Sequence, residues 1–377
     1  NGSFNGNGLS IKNLAISNAD TSSDNFGLFK TIENGASIFN LNIELADAGV
    51  SADHTTFVGT LAGSLNSAYA YNITIKTSKI NDYTQVIGAN VTGGAFGRVV
   101  GNSIVSNIEL ENISAVSTYY KDHTSNEIKN GTNIYVREAS NNSIYKEISI
   151  AGGAFGVVDI YNRNQLTNDE AKYGAEDYVY SQVTTIAVKG GLKVEAMTVG
   201  GIAGYIGEYV IARDLSLTIY KNASPTYLTA YNCYAGGIAG YNKGYLYQIK
   251  VEHESDWQAE IESNMYNYYN VSPDERELID RGSEDIFESK LDYKPSIVGG
   301  LVGYEYGGKL SIGYSKLSVI NQTASYVGGI IGYSPKVKAD ENTTDSSKSL
   351  QIKEIYAVGD VLGNKNAYVA GLIGYNE

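Results

Sequence analysis

The sequence is poor in cysteine, proline, methionine and long apolar runs. Cys233 is the only cysteine among 377 residues, so no disulfide can form within the chain. In a secreted protein of this size, such scarcity is more typical of bacteria than of eukaryotes. The four prolines suit a chain of paired strands, because proline cannot donate a ladder hydrogen bond. No apolar run approaches the roughly 20 residues that a membrane-spanning helix needs, so we expect no membrane span in this segment.

Positive charge is also scarce. The chain has 28 lysine and arginine residues against 41 aspartate and glutamate residues, which gives a net charge of −13. Because binding to a phosphate backbone requires charge of the opposite sign, the composition argues against nucleic acid as a partner.

The residues that usually carry catalysis or bind metal do not occur in the required patterns. The three histidines, His54, His123 and His253, lie far apart, so no His-x-x-x-His pair exists to bind zinc. A serine hydrolase elbow of the Gly-x-Ser-x-Gly type is missing. There is no Gly-Lys-Ser/Thr sequence, and strands rather than helices follow the glycine-rich segments, so a phosphate would find no helix N-terminus.

Polysaccharide cleavage is the main enzymatic alternative, because it needs only paired carboxylates or calcium-binding acids on one face. The acidic residues instead cluster in one polar segment, at Asp274, Glu275, Glu277, Glu284 and Asp285. Acids grouped in this way usually form a solvated surface. Calcium is conceivable at residues 169–177 or 340–345, but neither segment has an ordered Asp-x-Asp-x-Asp-Gly loop. We therefore predict a non-enzymatic protein without a metal or other cofactor.

Glycine (42) and tyrosine (32) are abundant and recur in a repeated motif. Five close copies end in tyrosine: VGGIAGY at 199–205, AGGIAGY at 235–241, VGGLVGY at 298–304, VGGIIGY at 327–333 and VAGLIGY at 369–375. Looser copies stand at 26–29, 57–63, 93–97 and 152–156. Nine such motifs indicate a repeat protein, in which one unit cannot bury its apolar face alone.

Each motif is followed by apolar residues with a period of two, which predicts β-strands. Small residues that recur at the same point of every unit indicate glycine stacked on glycine along an axis. The sequence thus predicts an all-β fold, a parallel β-helix or β-solenoid of about nine coils that forms one domain over residues 1–377. The glycines that define the repeat are Gly201, Gly204, Gly237, Gly240, Gly300, Gly303, Gly329, Gly332, Gly371 and Gly374.

Asparagines at 72, 107 and 112 fall at comparable points of successive units. They fit an asparagine ladder inside the solenoid, with each amide bonded to the next coil. They equally fit turn asparagines in the left-handed conformation. The sequence leaves both interpretations open.

Four segments depart from the repeat and are predicted to be insertions: residues 117–147, 159–181, 252–295 and 334–349. Insertions in repeat proteins map to loops at one edge. The third contains the one good helix signal, with Ser272 as cap, Pro273 at the first helical position and Gly282 at the end. The sequence therefore predicts one short helical insertion in the fold.

The insertions hold the candidate binding residues, because tyrosine presents a large amphipathic surface at low entropic cost. The candidates are Tyr119, Tyr120, Tyr135, Tyr178, Tyr180, Trp257, Tyr266, Tyr268 and Tyr269. The alternative is that these rings only cover the apolar side of each loop. The motif tyrosines are different, since their regular recurrence predicts a stacked structural ladder along the solenoid.

The segments FNGNGLSIKNLAI (4–16) and NFGLFKTIENGASIFNLNI (25–43), with the repeated VGGLVGY, resemble the GLUG-repeat regions of bacterial surface proteins. Such regions occur in large adhesins and in the non-catalytic parts of immunoglobulin-A-specific metallopeptidases. The resemblance covers nearly the whole chain apart from its insertions. It implies a parallel β-helix-like solenoid on the outside of a bacterium and implies no catalytic residue.

Neither end of the sequence shows a recognisable cap, so we expect the chain to be a fragment of a longer one. Our first hypothesis is a scaffold of an adhesin-like protein at the bacterial cell surface or secreted, with a protein or glycan as ligand. The alternatives are a substrate-positioning stalk of a secreted metallopeptidase and a subunit of an extracellular filament, which binds neighbouring copies of itself.

Overall fold

A computed structural model gives the fold of most of the chain. It describes residues 2–18, 23–79, 82–118, 149–159, 181–220, 227–231, 234–253, 260–264, 297–321, 326–335, 350–363 and 367–376. All regular structure in these ranges is β-strand. They contain no helix whose length and apolarity would let it cross a membrane.

The strands are numbered in chain order. Those before residue 119 are β1 (Ser3–Asn5), β2 (Ser10–Ser17), β3 (Asn25–Phe26), β4 (Phe29–Glu33), β5 (Ser37–Ala52), β6 (Phe57–Gly59), β7 (Ala62–Asn66), β8 (Tyr69–Thr77), β9 (Thr84–Gly88), β10 (Val91–Gly93), β11 (Phe96–Val100), β12 (Ile104–Glu111) and β13 (Ile113–Ser117). Those between residues 149 and 264 are β14 (Ile150–Gly152), β15 (Phe155–Val158), β16 (Ser181–Lys189), β17 (Lys193–Ala196), β18 (Thr198–Gly200), β19 (Ala203–Ile206), β20 (Val210–Ile219), β21 (Tyr227–Tyr231), β22 (Tyr234–Gly236), β23 (Ala239–Asn242), β24 (Tyr245–His253) and β25 (Glu260–Asn264). The remainder are β26 (Ile297–Gly299), β27 (Val302–Glu305), β28 (Lys309–Ser315), β29 (Val319–Asn321), β30 (Tyr326–Gly328), β31 (Ile331–Ser334), β32 (Gln351–Ala357), β33 (Val361–Gly363), β34 (Tyr368–Ala370) and β35 (Ile373–Asn376).

The described strands form three large parallel sheets. Sheet A has fifteen strands, in the order β25-β21-β17-β13-β9-β5-β8-β12-β16-β20-β24-β28-β32, with β1 and β2 also paired to β5. Sheet B has nine strands, in the order β3-β6-β10-β14-β18-β22-β26-β30-β34. Sheet C has nine, in the order β35-β31-β27-β23-β19-β15-β11-β7-β4, and β29 pairs separately with β33.

The chain visits the sheets in a repeating order. The long strand β5 joins two branches of sheet A: a first branch that continues through β8 to β32 and a second branch that continues through β9 to β25. A unit runs from the first branch to the second, then to sheet B and then to sheet C. Each described strand therefore pairs with its equivalent in at least one neighbouring unit, and the result is a β-solenoid-like stack. The predictions of an all-β class and of parallel stacking are confirmed.

The interior of the stack is a continuous apolar core built from all three sheets. Residues such as Leu65, Ile75, Phe96 and Val183 are buried there with almost no exposed surface. In the short strands of sheets B and C the same positions recur as valine, isoleucine, alanine or phenylalanine. The two-residue alternation seen in the sequence therefore does mark inward-facing positions.

The first-branch strands bend at one residue with a positive φ angle. Eight residues occupy this position in register: Asn40, Asn72, Asn107, Thr185, Asp214, Gln248, Ile312 and Glu354. In β8, for example, Ala70 and Ile73 are buried with Tyr71 and Asn72 between them, so two consecutive residues face outward. The bend lets apolar residues on both sides of it face the core.

The asparagines at 72 and 107 form an amide ladder and also adopt the left-handed conformation, so both interpretations that the sequence leaves open hold. Asn72 and Asn107 have φ angles of 56° and 52°. Nδ2 of Asn72 also donates to Oδ1 of Asn40 at 3.0 Å, and Nδ2 of Asn107 donates to Oδ1 of Asn72 at 2.8 Å. The predicted location inside the solenoid is wrong, because the ladder lies on the exposed outer face, where the left-handed bend directs these side chains.

Asn112 belongs to a different arrangement. Its φ angle is 56°, and its Oδ1 accepts a hydrogen bond from the backbone N–H of Gly191 at 2.8 Å. It therefore links two units through a side chain and a backbone group rather than through an amide ladder.

The glycines of the motif lie where backbone meets backbone. A Cβ added to Gly201, Gly237, Gly300 or Gly329 would collide with the carbonyl oxygen of the corresponding glycine in the next unit. The third glycine of the motif faces sheet B instead: a Cβ on Gly240 would lie 2.6 Å from the carbonyl oxygen of Val199. Any larger side chain would push sheets B and C apart.

The glycine column gives a matched pair of substitutions. We expect Gly300→Ala to lower the free energy of unfolding by about 1–3 kcal/mol, because the new methyl group overpacks against backbone. Gly371→Ala is the control, since a Cβ there meets no atom within 4 Å, and its effect is expected to stay within about 0.5 kcal/mol. Urea denaturation followed by circular dichroism measures both, and equal effects would contradict the packing argument.

Ile312 is a β-branched residue in the left-handed position, with a φ angle of 54°. We expect Ile312→Asn to raise the free energy of unfolding by about 1 kcal/mol, because asparagine tolerates this conformation and isoleucine does not. Ile104→Asn is the control: Ile104 is similarly exposed (40% against 37%) but is absent from the positive-φ positions. If both substitutions increase stability, the cause is the replacement of an exposed apolar side chain by a polar one rather than the backbone conformation.

Candidate functional site: aromatic surfaces of the stacked strands

The nine aromatic residues predicted to bind a ligand all lie outside the described residues. These are Tyr119, Tyr120, Tyr135, Tyr178, Tyr180, Trp257, Tyr266, Tyr268 and Tyr269. The predicted helix at 272–282 and the acidic segments considered for calcium lie outside them too. Their roles stay predictions, but the described strands fix the points at which these segments leave and rejoin the stack.

Two of the longest segments leave the stack at one corner. Residues 119–148 lie between β13 and β14, and residues 265–296 lie between β25 and β26, so both connect the second branch of sheet A to sheet B. Residues 160–180 and 336–349 share another corner, between sheet C and the first branch of sheet A. These four long segments are therefore inserted at two corners of the stack.

The motif tyrosines form the predicted ladder. Tyr205, Tyr241, Tyr304, Tyr333 and Tyr375 occupy successive strands of sheet C in register. Their ring centroids lie 5.4, 4.8, 5.3 and 5.5 Å apart along the column, and each pair is stacked. Offset stacked pairs of this kind contribute about 0.5–1.5 kcal/mol each beyond burial. The ladder stabilises the register of sheet C.

A second column, on sheet B, faces this ladder and contains Tyr234, Ile297, Tyr326 and Tyr368 in register. The Tyr234 ring lies 4.8 Å from that of Tyr304, and the Tyr326 ring lies 5.0 Å from that of Tyr333, edge to face. Towards the N-terminus, Val91 and Phe57 replace the tyrosines of sheet B. Sheets B and C therefore enclose a second apolar cluster, separate from the main core.

One carboxyl group is buried in the stack. Glu305 accepts hydrogen bonds from Nδ2 of Asn242 and from the backbone N–H of Gly308, each at 2.8 Å. Oδ1 of Asn242 accepts from the N–H of Gly244 at 3.0 Å, so two successive turns share one hydrogen-bond network. Burial raises the pKa of Glu305 to about 8, against the opposing effect of its two hydrogen-bond donors.

The outer face of the first branch carries an exposed aromatic and basic surface at its C-terminal strands. We define this tyrosine–lysine surface by the aromatic or charged outward residues of β24, β28 and β32, together with the exposed Lys316 that follows β28: Tyr245, Tyr247, Lys250, Glu252, Lys309, Tyr314, Lys316, Lys353, Glu354 and Tyr356. The Tyr314 and Tyr356 rings stack at 5.2 Å, and Tyr356 is half exposed. The surface is thus accessible to solvent.

Hydrogen bonds and cation–π contacts order this surface. The Tyr314 hydroxyl donates to Oε2 of Glu252 at 2.7 Å, and Nζ of Lys250 lies 3.2 Å from Oε1 of the same carboxylate. Partial burial, followed by the hydrogen bond to Glu252, raises the pKa of Tyr314 to about 12. Nζ of Lys309 lies 4.8 Å from the centroid of the Tyr245 ring, and that of Lys316 lies 5.0 Å from the Tyr314 ring. These contacts hold the ammonium groups beside aromatic surface.

The sequence analysis missed this surface. The signal that indicates it is outward-facing tyrosine and lysine at matching positions of consecutive strands. Reading that signal requires the strand register across residues 265–296 and 336–349, which the sequence alone does not supply. Among the described residues, no group of three or more histidine, cysteine, aspartate or glutamate side chains is placed to bind a metal ion.

Comparisons with known proteins do not extend these observations. No family model, curated protein or solved structure matches the chain significantly.

The buried carboxyl group predicts a pH-dependent stability. Because the pKa of Glu305 is higher in the folded state than in the unfolded state, its contribution is fully present below about pH 4.5 and is lost as pH rises towards about 8. We expect the stability difference between Glu305→Gln and the wild type to shift in favour of the variant by a few kcal/mol over this window, since one pKa unit equals about 1.4 kcal/mol.

Denaturant titrations of both proteins at several pH values between 4 and 9 measure this difference. Subtracting the two curves removes the contribution of the other carboxylates. Parallel curves would mean that Glu305 is ionised at neutral pH in the folded protein.

Proposed function

We propose that the chain is a non-catalytic binding scaffold of an adhesin-like protein at the bacterial cell surface or secreted. In this proposal it forms a β-solenoid of about nine coils, and the insertions supply contacts to a protein or glycan. The parallel stack and the resemblance to GLUG-repeat regions support it. The −13 charge and the sequence patterns argue against nucleic acid binding and known catalytic motifs.

The observation that carries the proposal is that strand register is the same with and without an insertion. Ser117 pairs with Gly88, and Ile150 pairs with Val91 in the neighbouring unit. Only two residues separate Gly88 from Val91, whereas 32 separate Ser117 from Ile150. The additional 30 residues leave the geometry of the flanking strands unchanged, as expected of a scaffold that carries variable loops.

The two insertions at the corner between sheets A and B lie close to each other along the stack. Sheet B runs from β14 through β18 and β22 to β26, so three strand spacings separate the points where they rejoin. At about 4.8 Å per spacing this is about 14 Å. Loops rooted at this separation can contact one ligand surface together.

The two alternatives drawn from the sequence, a substrate-positioning stalk of a secreted metallopeptidase and a filament subunit, stay predictions.

The strand register defines deletions that test the scaffold function. Removing residues 119–148 leaves two residues between Ser117 and Ile150, and removing residues 266–295 leaves two between Asn264 and Ile297, as between Tyr231 and Tyr234. We expect both deletions to fold, because neither changes the register of the stack. Their thermal unfolding should remain cooperative and close to that of the full chain.

We expect the double deletion to lose adhesion. Beads coated with the full chain or the variant are compared in laminar flow over mucin-coated and fibronectin-coated glass. The proposal predicts that beads coated with the full chain are retained well above albumin-coated beads. Beads coated with the double deletion should lose most of this retention. Equal retention of all three kinds of bead would contradict it, and concentration-dependent fibres of the isolated chain would favour the filament instead.

A further inference from the structure

We propose that the tyrosine–lysine surface on β24, β28 and β32 binds an anionic polysaccharide, one whose sugar units carry carboxylate or sulfate groups. This inference deepens the proposed binding function, on which it rests, and assigns a site outside the insertions. It depends on the local charge of the surface, on the chemistry of its side chains and on the way in which the strand register places tyrosine beside lysine.

The charge of this surface is opposite to that of the chain. The outward positions of its three strands carry Lys250, Lys309 and Lys353 against Glu252 and Glu354, and Lys316 directly follows β28, although the chain has a net charge of −13. Glu252 binds Lys250 and the hydroxyl of Tyr314, and Glu354 lies 3.4 Å from Lys353, so Lys309 and Lys316 are the excess positive charge. Charge complementarity therefore favours an anionic ligand.

Two lysines are held in a way that leaves their charge available. Within the described part of the chain, no carboxylate lies within 4.0 Å of Nζ of Lys309 or Lys316, and both contact tyrosine rings, although Lys316 also interacts electrostatically with the more distant Glu252. A ring orients an ammonium group without neutralising it, so both groups can still pair with a ligand anion.

The N-terminal end of the same face serves as an internal comparison. The outward positions of β5, β8 and β12 carry Glu44, Glu109 and Glu111 against Lys76. Lys76 lies 3.9 Å from Glu44, and Lys189 of β16 lies 2.7 Å from Glu109. There the lysines are paired with carboxylates and the excess charge is negative, so an anionic ligand is expected to bind only at the C-terminal end.

The aromatic residues favour a sugar over other anions. The Tyr314 and Tyr356 rings stack on each other along the axis. The edges of the two rings therefore face outward, beside the charged groups. Tyr247 and Tyr356 are 37% and 50% exposed and offer both apolar ring surface and a phenolic hydroxyl. This combination suits sugar hydroxyl and C–H groups. Tyrosine and lysine also stand at matching positions of neighbouring strands, Tyr245 beside Lys309 and Lys250 beside Tyr314, so aromatic and ammonium groups lie about 4.8 Å apart along the surface.

The experiment uses polysaccharides that differ in charge. Binding of the full chain to dextran sulfate, polygalacturonate and unmodified dextran is measured by isothermal titration calorimetry at 50 and 150 mM salt. We expect binding to dextran sulfate, to polygalacturonate or to both, none to dextran, and weaker binding at the higher salt concentration because the contacts are exposed. The anion that binds more tightly identifies sulfate or carboxylate as the preferred group.

The variants locate the site. We expect Lys309→Gln/Lys316→Gln to raise the Kd roughly tenfold, at about two- to fivefold for each lost exposed ion pair, and Lys309→Arg/Lys316→Arg to restore binding. Lys12→Gln/Lys30→Gln removes the same charge from exposed positions of β2 and β4 and should leave the Kd unchanged. Thermal unfolding of each variant verifies that it is folded.

The proposal is overturned if dextran binds as well as dextran sulfate, if the two glutamine pairs weaken binding equally, or if a single-stranded oligonucleotide binds more tightly than either polysaccharide. Its failure is distinguishable from failure of the scaffold function. Loss of adhesion in the double deletion without any polysaccharide binding would leave the scaffold standing and remove this site.

Discussion

Parallel backbone pairing between successive units is the constraint on which the rest of the structure depends. It sets the separation of neighbouring strands at about 4.8 Å, so every position of the unit becomes a column of equivalent side chains. A column tolerates only residues that can lie beside their own equivalents. Glycine meets this condition where Gly300 faces the carbonyl oxygen of Gly329, and stacked tyrosine meets it in the ladder from Tyr205 to Tyr375.

The same constraint separates structural from variable positions. At the corner between sheets A and B, the N–H of Thr118 donates to the carbonyl of Gly88 and the N–H of Ile150 donates to that of Asn90. The pairing between units therefore continues up to both ends of the connection, so 30 additional residues can be inserted between Ser117 and Ile150 without a change of register. Positions within the strands are different. There the buried Glu305 shares its turn network with Asn242, and burial raises the pKa of its carboxyl group.

Much of the fold could be predicted from sequence because it is encoded locally. The Gly-Gly-x-x-Gly-Tyr motif and the period of two define the strands and their stacking, and the recurring tyrosines define a ladder. The left-handed column could not be predicted in full, because asparagine gives way to Thr185, Gln248 and Ile312 at equivalent positions. Those residues show no preference for positive φ, and the strand register of the neighbours imposes it. The tyrosine–lysine surface was missed for a related reason: its columns are interrupted in sequence by two long insertions.

In a repeat protein, the local charge of each sheet face therefore says more about possible ligands than the net charge of the chain does. The net charge of −13 argues against a polynucleotide as a general partner, but it hides a reversal of sign along one sheet. Stacking produces this reversal, since β5, β8 and β12 bring glutamates together while β24, β28 and β32 bring lysines together. A parallel stack of this kind can present opposite electrostatic surfaces at different points of one sheet while its core remains uniform. The outward columns can vary without disturbing the glycines and tyrosines that hold the strands in register, so the proposed ligand would be selected by those columns.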